Sequence, residues 1–550
     1  MPDNKDEVLL ATSERDEAGR PIVRPRLTHT VDQRDKVLLA DPPAVIPIVF
    51  LPGIMGTNLK SKESGDSVWR APNTDGFFPI LGAIGQLFGY WFRGAATRQR
   101  RLDPAKVEVD DNGPIDAEGT ITDELAKQRG WGTVMRSAYN PVMALLQKRL
   151  GNVMEAGEPL EWWRDEGMRS PDAYGEQQGG NAALGQAELR AAARYRFDVW
   201  AGGYNWLQSN RQSGQDIIDY IDNKVLAHYR QQKIPAEKVV LVTHSMGGLV
   251  ARSVACIQGY ANLLGVVHGV MPATGAAATY HHCRAGYDGV SSVILGRDAA
   301  EVVAILGNSP GGLELLPAMD YCDGKPWLKL GDPFTPNSEE LPKAGDPYAE
   351  IYTNPAWYGL VPEENTPLLD PAGLNPAAAG ETELEGPPAP GKRSLFERNI
   401  DDVAAFHREL SGCYHKPSFV HYGSDANQKS WSELRWAGQL PDAWDSLRIT
   451  QDKGKGTMEV AGQGGSASLE IADPADPGDG TVPDTSGGAP AAAGVQASFR
   501  QGDLGQGEFA SRNGKGKAEG YEHQSSYNDV RSQWATLYGV AQCAQHADWA

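Results

Sequence analysis

Three short apolar runs constrain this chain more than any other feature: VIPIVFL (45–51), KVVLVTH (238–244) and LLGVVHGVMPA (263–273). Unbroken β-branched runs of this length mark strands buried on both faces, as in a parallel sheet. The first two run straight into glycine turns, PGIMG and SMGG. Helical patterns lie between the strands. Tyr139–Leu150 reads as one helix, and Ser213–Gln231 as another with Ile217, Ile218, Ile221 and Leu226 on one face. RYRFDVWAG (194–202) and SFVHYGSD (418–425) read as further strands, with helices expected near 399–411 and 527–542. LRITQDKGKGTMEVAGQ (447–463) reads as a hairpin turning at Lys453–Gly456. Strands alternating with helices imply an α/β fold with a mostly parallel sheet.

Composition sets the outer limits. At 40 % hydrophobic residues, the 550-residue chain can bury a sizeable core and is not wholly disordered. A net charge of −20 excludes nucleic acid as the main partner and predicts repulsion from anionic membranes outside some locally basic patch. Five cysteines lie far apart with no CxxC pair, and are read as buried or idle thiols, with neither a disulfide framework nor zinc. The acidic start MPDNKDEVLLATSERDEAGR lacks the pattern of a secretory signal, and no run reaches the roughly 18 apolar residues of a membrane-spanning helix. The expectation is a soluble chain made in the cytoplasm, which reaches any other compartment by a route without a cleaved signal. Residues 1–43 read as a polar arm, 361–392 as a Pro/Ala/Gly/Glu-rich linker and 486–519 as a Gly/Ala-rich loop.

The chemistry concentrates in Thr243-His244-Ser245-Met246-Gly247-Gly248, where a buried strand must turn sharply into a helix. A nucleophile elbow needs that geometry, because it leaves the serine Oγ standing above the sheet. Thr243 occupies a position that is usually glycine, and it crowds the turn. The amide after the nucleophile, that of Met246, then points at a carbonyl oxygen under attack. The second oxyanion donor is assigned to Ile54, with Met55 as the alternative, in the turn that ends the first strand. In this fold the acid and then the histidine follow the serine. Asp479, between two glycines in GDGTVP, is the expected acid, with Asp425 as competitor and Asp473 and Asp476 as nearer rivals. No cofactor is expected, although Asp473 and Asp476 beside Asp479 have the makings of a calcium site. Of the two histidines beyond Asp479, His523 in a glycine-bounded loop is preferred to His546 in the tail. His281 and His282, adjacent in sequence, are read as loop residues and not metal ligands.

In that order, VFLPGIMGTNL, THSMGGLVAR, GDGTVPDTS and EHQSSY resemble the lecithin:cholesterol acyltransferase-like and inositol-deacylase-like branch of the α/β-hydrolases. Within that group the chain is similar to the lipase effectors of bacterial type VI secretion systems. The resemblance implies an α/β-hydrolase fold with helical cap and lid insertions. It implies Ser245 as nucleophile, Asp479 as acid, His523 as base, and the Ile54 and Met246 amides as oxyanion donors. It further implies hydrolysis of phospholipid acyl esters, of A1 or A2 type, by an antibacterial effector acting in the target-cell periplasm. A secretion spike protein and an immunity protein are then the expected partners, beside the phospholipid surface itself.

FFPILGAIGQLFGYWF (77–92) follows the oxyanion strand, where such enzymes carry lids. Phe77, Phe78, Leu87, Phe88, Trp91 and Phe92 are the expected lid and substrate residues, within a lid candidate at 76–93. A basic flank follows, with Arg93, Arg98, Arg100, Arg101 and Lys106 against Asp103 alone. Arg98, Arg100 and Arg101 are the headgroup candidates. Two other readings share the motifs: a non-lipid esterase or acyltransferase, and an inactive interaction module on the same fold. Because the catalytic motifs run from the first strand to near the C-terminus, residues 44–550 read as one catalytic domain. Its insertions are expected at about 60–190 and 275–410.

Overall fold

The computed structural model describes residues 42–70, 94–155, 157–287, 296–374, 392–502 and 521–550, with the backbone of short strands at 9–12, 14–15, 21–22 and 36–39. Six parallel strands form the central sheet. They are β1 (Ala44–Leu51), β2 (Tyr195–Ala201), β3 (Val239–His244), β4 (Leu263–Gly269), β5 (Ser418–Gly423) and β6 (Ala497–Gln501), in the order β2-β1-β3-β4-β5-β6. Every residue of β1 is buried, as its unbroken apolar run predicts. Its side chains alternate between two cores. Ile46, Ile48 and Phe50 pack with helix α1 (Arg136–Gly151) and the last helix, here α4 (Val530–Ala544). Val45, Val49 and Leu51 pack with α2 (Asn210–Tyr220) and α3 (Gly247–Arg252). This is the α/β-hydrolase arrangement. The strand order reverses at β1, so the crevice for a ligand opens beyond the carboxyl ends of β1 and β3.

A second, mixed sheet of six strands lies in the cap region. Its order is Glu339–Leu341, Leu328–Leu330, Leu434–Ala437, Gly465–Ile471, Thr457–Gly462 and Arg448–Asp452. The hairpin read from 447–463 is therefore part of a larger sheet, built from both sides of β5 in sequence. Its core holds Trp327, Trp357, Trp436 and Tyr280.

Three expectations are corrected. The loop at 486–519 contains β6, which completes the sheet beside β5. That strand is short and set among glycines and alanines, so its alternation does not stand out. The helix expected over 213–231 is two helices, Asn210–Tyr220 and Leu226–Gln231, joined by a π turn at Ile221–Val225. Cys256 and Cys413 are not idle thiols but a disulfide, across a separation of 157 residues. Spacing in sequence carries no sign of a pair that only the fold brings within reach. Among the described residues, no helix is long and apolar enough to cross a membrane.

Candidate active site

Strand β3 ends at His244 and α3 begins at Gly247, with only two residues between, so the intervening turn must be abrupt. Ser245 absorbs it with φ 53°, in the left-handed region that a side chain rarely occupies. Two bonds hold the turn. Ser245 N–H donates to Gly269 O at 2.9 Å, and Gly248 N–H donates to Ser245 O at 2.9 Å. A side chain at Gly247 would meet the carbonyl oxygens of Leu51 and Pro52, at 2.5 and 2.7 Å from its Cβ. Glycine there lets α3 start directly beneath the end of β1. Thr243 is tolerated because it lies inside β3, before the turn, with its Oγ1 3.4 Å from His268 Nδ1 on β4.

His523 Nε2 lies 2.9 Å from Ser245 Oγ, and its Nδ1 lies 2.7 Å from Asp479 Oδ2. The other carboxylate oxygen of Asp479 accepts the Thr481 and Val482 N–H groups at 3.0 and 2.7 Å. Asp479 is 1 % exposed, and backbone amides with one imidazole replace its water. Burial pulls the His523 pKa down, but the charge and hydrogen bond of Asp479, with Glu522 nearby, outweigh it and hold the imidazole above its ordinary value. The rival carboxylates have other duties. Asp425 accepts Asn427 N–H and Tyr521 N–H at 2.8 and 2.7 Å, which braces the chain two residues before His523. Asp476 accepts the Ser432 N–H at 3.0 Å, and Asp473 lines the cavity. His546 lines a separate pocket beside Lys238 and Lys416. Among the described residues, no group of three or more His, Cys, Asp or Glu is arranged to hold a metal.

The turn after β1 faces this assembly. Gly53, Ile54 and Met55 line the same cavity as Ser245 and His523, and Met55 is also left-handed at φ 63°. Among the described residues no acceptor takes the N–H of Ile54, Met55 or Met246. Backbone donors left without partners beside a nucleophile can receive an oxyanion. Gly53 N–H is engaged, donating to Tyr139 Oη at 3.1 Å. Tyr139 Oη lies 3.2 Å from His244 Nδ1, and His244 Nε2 lies 3.0 Å from the His523 carbonyl oxygen. Sequence reasoning gave neither Tyr139 nor His244 a role. A histidine at the end of a strand that opens with the apolar run VVLV, and which must find partners once buried, was the available signal.

Together these residues open into a cavity of about 600 Å³. Ile54, Trp69, Met135, Leu315 and Ile471 supply apolar walls, and the cap adds Trp431. His281 and His282 lie on the helix Ala277–Ala285 and not in a loop, and His281 stacks on Trp431 with ring centroids 4.4 Å apart, both lining the cavity. The lid and substrate candidates Phe77, Phe78, Leu87, Phe88, Trp91 and Phe92 lie outside the described residues. The headgroup assignment is corrected at one position. Arg98 is 3 % exposed and lies 3.4 Å from buried Glu301, so it braces the insertion instead of meeting a ligand. Arg100 and Arg101 remain toward solvent, donating to the Ala372 and Ser67 carbonyls at 3.4 and 3.3 Å.

Comparison with known proteins agrees with the fold. Residues 206–271, which contain the elbow, match a PGAP1-like alpha/beta domain. A chain from the crystal structure of the Tle4–Tli4 complex is similar over 92 % of this chain and 100 % of its own, at 45 % sequence identity and a TM-score of 0.80. Curated protein sequences return no match.

Proposed function

We propose, since this chain belongs to the α/β-hydrolase family of the type VI lipase effector Tle4, that it is a serine phospholipase that cleaves acyl esters of membrane phospholipids. One observation carries the reading: a serine, a histidine and a buried carboxylate joined by bonds of 2.9 and 2.7 Å at the wall of an apolar cavity.

In this mechanism His523 Nε2 takes the Ser245 proton as Oγ attacks the ester carbonyl. Asp479 holds the tautomer that leaves Nε2 free to accept, and it stabilises the imidazolium. The Ile54 and Met246 amides receive the oxyanion, each donor contributing roughly 3–4 kcal/mol. The imidazolium then protonates the leaving lysophospholipid alcohol. Water, activated by His523, clears the acyl-enzyme. The apolar walls suit an acyl chain better than a polar ester.

The relative supports the coarser biological role, that of a type VI lipase effector. Tle4 was solved with Tli4, which supports an immunity partner of the same kind for this chain; an antibacterial role in the target-cell periplasm and carriage on a secretion spike belong to the proposal and rest on the resemblance alone. The test measures fatty-acid release from phosphatidylethanolamine vesicles by wild type and Ser245→Ala. Loss of nearly all release with an unchanged thermal melt is the expected result. Retention of more than about one per cent by a pure sample would sink the assignment. The position of the released acyl chain separates A1 from A2 action.

A further inference from the structure

We propose that Tyr139 and His244 are positioning residues that join the oxyanion turn to the backbone of the catalytic base through one directional chain of hydrogen bonds. This rests on the reading of Ser245, His523 and the 53–55 turn given above.

The direction of the chain is fixed from one end. The His523 carbonyl oxygen can only accept, so His244 Nε2, 3.0 Å away, carries the proton. A neutral ring then offers Nδ1 as an acceptor. Tyr139 must donate to it across 3.2 Å, which leaves the phenol oxygen to accept the Gly53 N–H at 3.1 Å. No other neutral arrangement of the two side chains satisfies both the Gly53 N–H and the His523 carbonyl, although the Gln524 side chain also reaches Tyr139 Oη and Ser526 N–H shares that carbonyl. Tyr139 and His244 are each 1 % exposed, so water is a poor substitute for any member.

Burial, then repulsion from the His523 charge, pushes His244 down to about 3. Its ring therefore stays neutral when His523 becomes an imidazolium during turnover. Burial likewise raises Tyr139 to about 12, which preserves its O–H.

Each end of the chain meets the reaction. Gly53 immediately precedes Ile54, and a Cβ on Gly53 would lie 2.9 Å from His244 Nδ1 and 3.1 Å from Ser245 Cβ. At the other end, the His523 backbone is held on both sides. Its N–H donates to Asp479 O at 2.8 Å, and its carbonyl takes His244, with a longer 3.4 Å turn bond from Ser526 N–H. The turn presenting the oxyanion donors and the loop presenting the base thus share one buried reference point, which follows from neither side chain alone.

The test compares Tyr139→Phe, His244→Phe, the double variant and His244→Gln on a soluble nitrophenyl ester. Tyr139→Phe should lower kcat about tenfold or more with KM within about twofold, because a misplaced donor is felt in the transition state. The double variant should be no more than about threefold worse than the weaker single variant, since both break one chain. His244→Gln, which returns a donor toward the His523 carbonyl, should recover part of the His244→Phe loss. Unchanged kcat in Tyr139→Phe, or losses that multiply in the double variant, would overturn the proposal.

A second readout does not depend on the variants folding. Nitrogen-15 histidine NMR of the wild type should show His244 as the neutral Nε2–H tautomer throughout pH 5–8. An Nδ1–H tautomer, or titration in that range, also overturns it. Activity surviving in Ser245→Ala would instead defeat the catalytic reading and leave this tautomer standing.

Discussion

Ser245 and Met55 both hold left-handed backbones within one cavity, at φ 53° and 63°. Each costs on the order of 1–3 kcal/mol, which the packed surroundings must sustain. The gain at Ser245 is an Oγ lifted clear of the strand and within 2.9 Å of His523. As the proposed base, His523 works only when neutral, and Asp479 outweighs burial to hold its pKa above the ordinary value. Activity should therefore climb with pH through a midpoint above about 6.5. Asp479→Asn removes the charge that raises the pKa, so the midpoint should fall. The rate should also drop by roughly four orders of magnitude, because the tautomer is no longer enforced. A pH profile of kcat/KM for both proteins checks this, and an unmoved acid limb would count against Asp479. The choice of Asp479 over Asp425 was open in the sequence, because a carboxylate between two glycines in GDGTVP and one at the end of the strand-like SFVHYGSD can each face a histidine. Only the fold turns one toward His523 and the other toward the amides of Asn427 and Tyr521.

At the scale of elements, the turn after β1 and the start of α2 are the sensitive places. Gly53 lies so close to the nucleophile that Gly53→Ala must displace either His244 or Ser245. We expect at least a tenfold loss of esterase activity with the fold retained, measured by activity beside a thermal melt. Glu314, from the cap, accepts Ser209 Oγ–H at 2.6 Å and Asn210 N–H at 2.7 Å, and so caps α2. Burial raises its pKa to about 7, with those two donors only partly offsetting it. The folded state then binds a proton that the unfolded chain has released above about pH 4.5. Stability should fall as pH rises from about 4.5 to 7, by roughly 3 kcal/mol in all. Glu314→Gln should flatten that slope in denaturant titrations at pH 5 and 8, and a slope equal to wild type would discount the residue. Central strands were legible because burial on both faces demands unbroken apolar runs. Strand β6 was not, since ASFRQ needs its neighbour β5 before its pattern has meaning.

The whole molecule is tied across its long insertions by a few cross-chain contacts. Cys256, just beyond α3, is bonded to Cys413, just before β5. Beside them Arg252 donates to the Cys413 and Ala273 carbonyls at 3.1 and 2.7 Å and to that of Leu410. A loop of 157 residues gives a chain-entropy gain of at most roughly 5 kcal/mol. Cys256→Ser with Cys413→Ser should lower the denaturant midpoint under oxidising conditions and match reduced wild type. Equal midpoints for oxidised wild type and the double variant would show that the bond contributes nothing. Such a bond suits a protein that works outside the reducing cytoplasm. By itself the sequence determined the parallel sheet, the elbow at Ser245 and the order of the residues that follow it. Those depend on local facts: apolar runs that must be buried, and a tight turn that needs glycine beside it. The tertiary structure decided which carboxylate meets His523, that Arg98 pairs with Glu301 instead of facing solvent, and that Tyr139 and His244 join the turn to the base. Such choices belong to groups brought together from distant positions, and distance along the chain says nothing about which buried donor will find which acceptor.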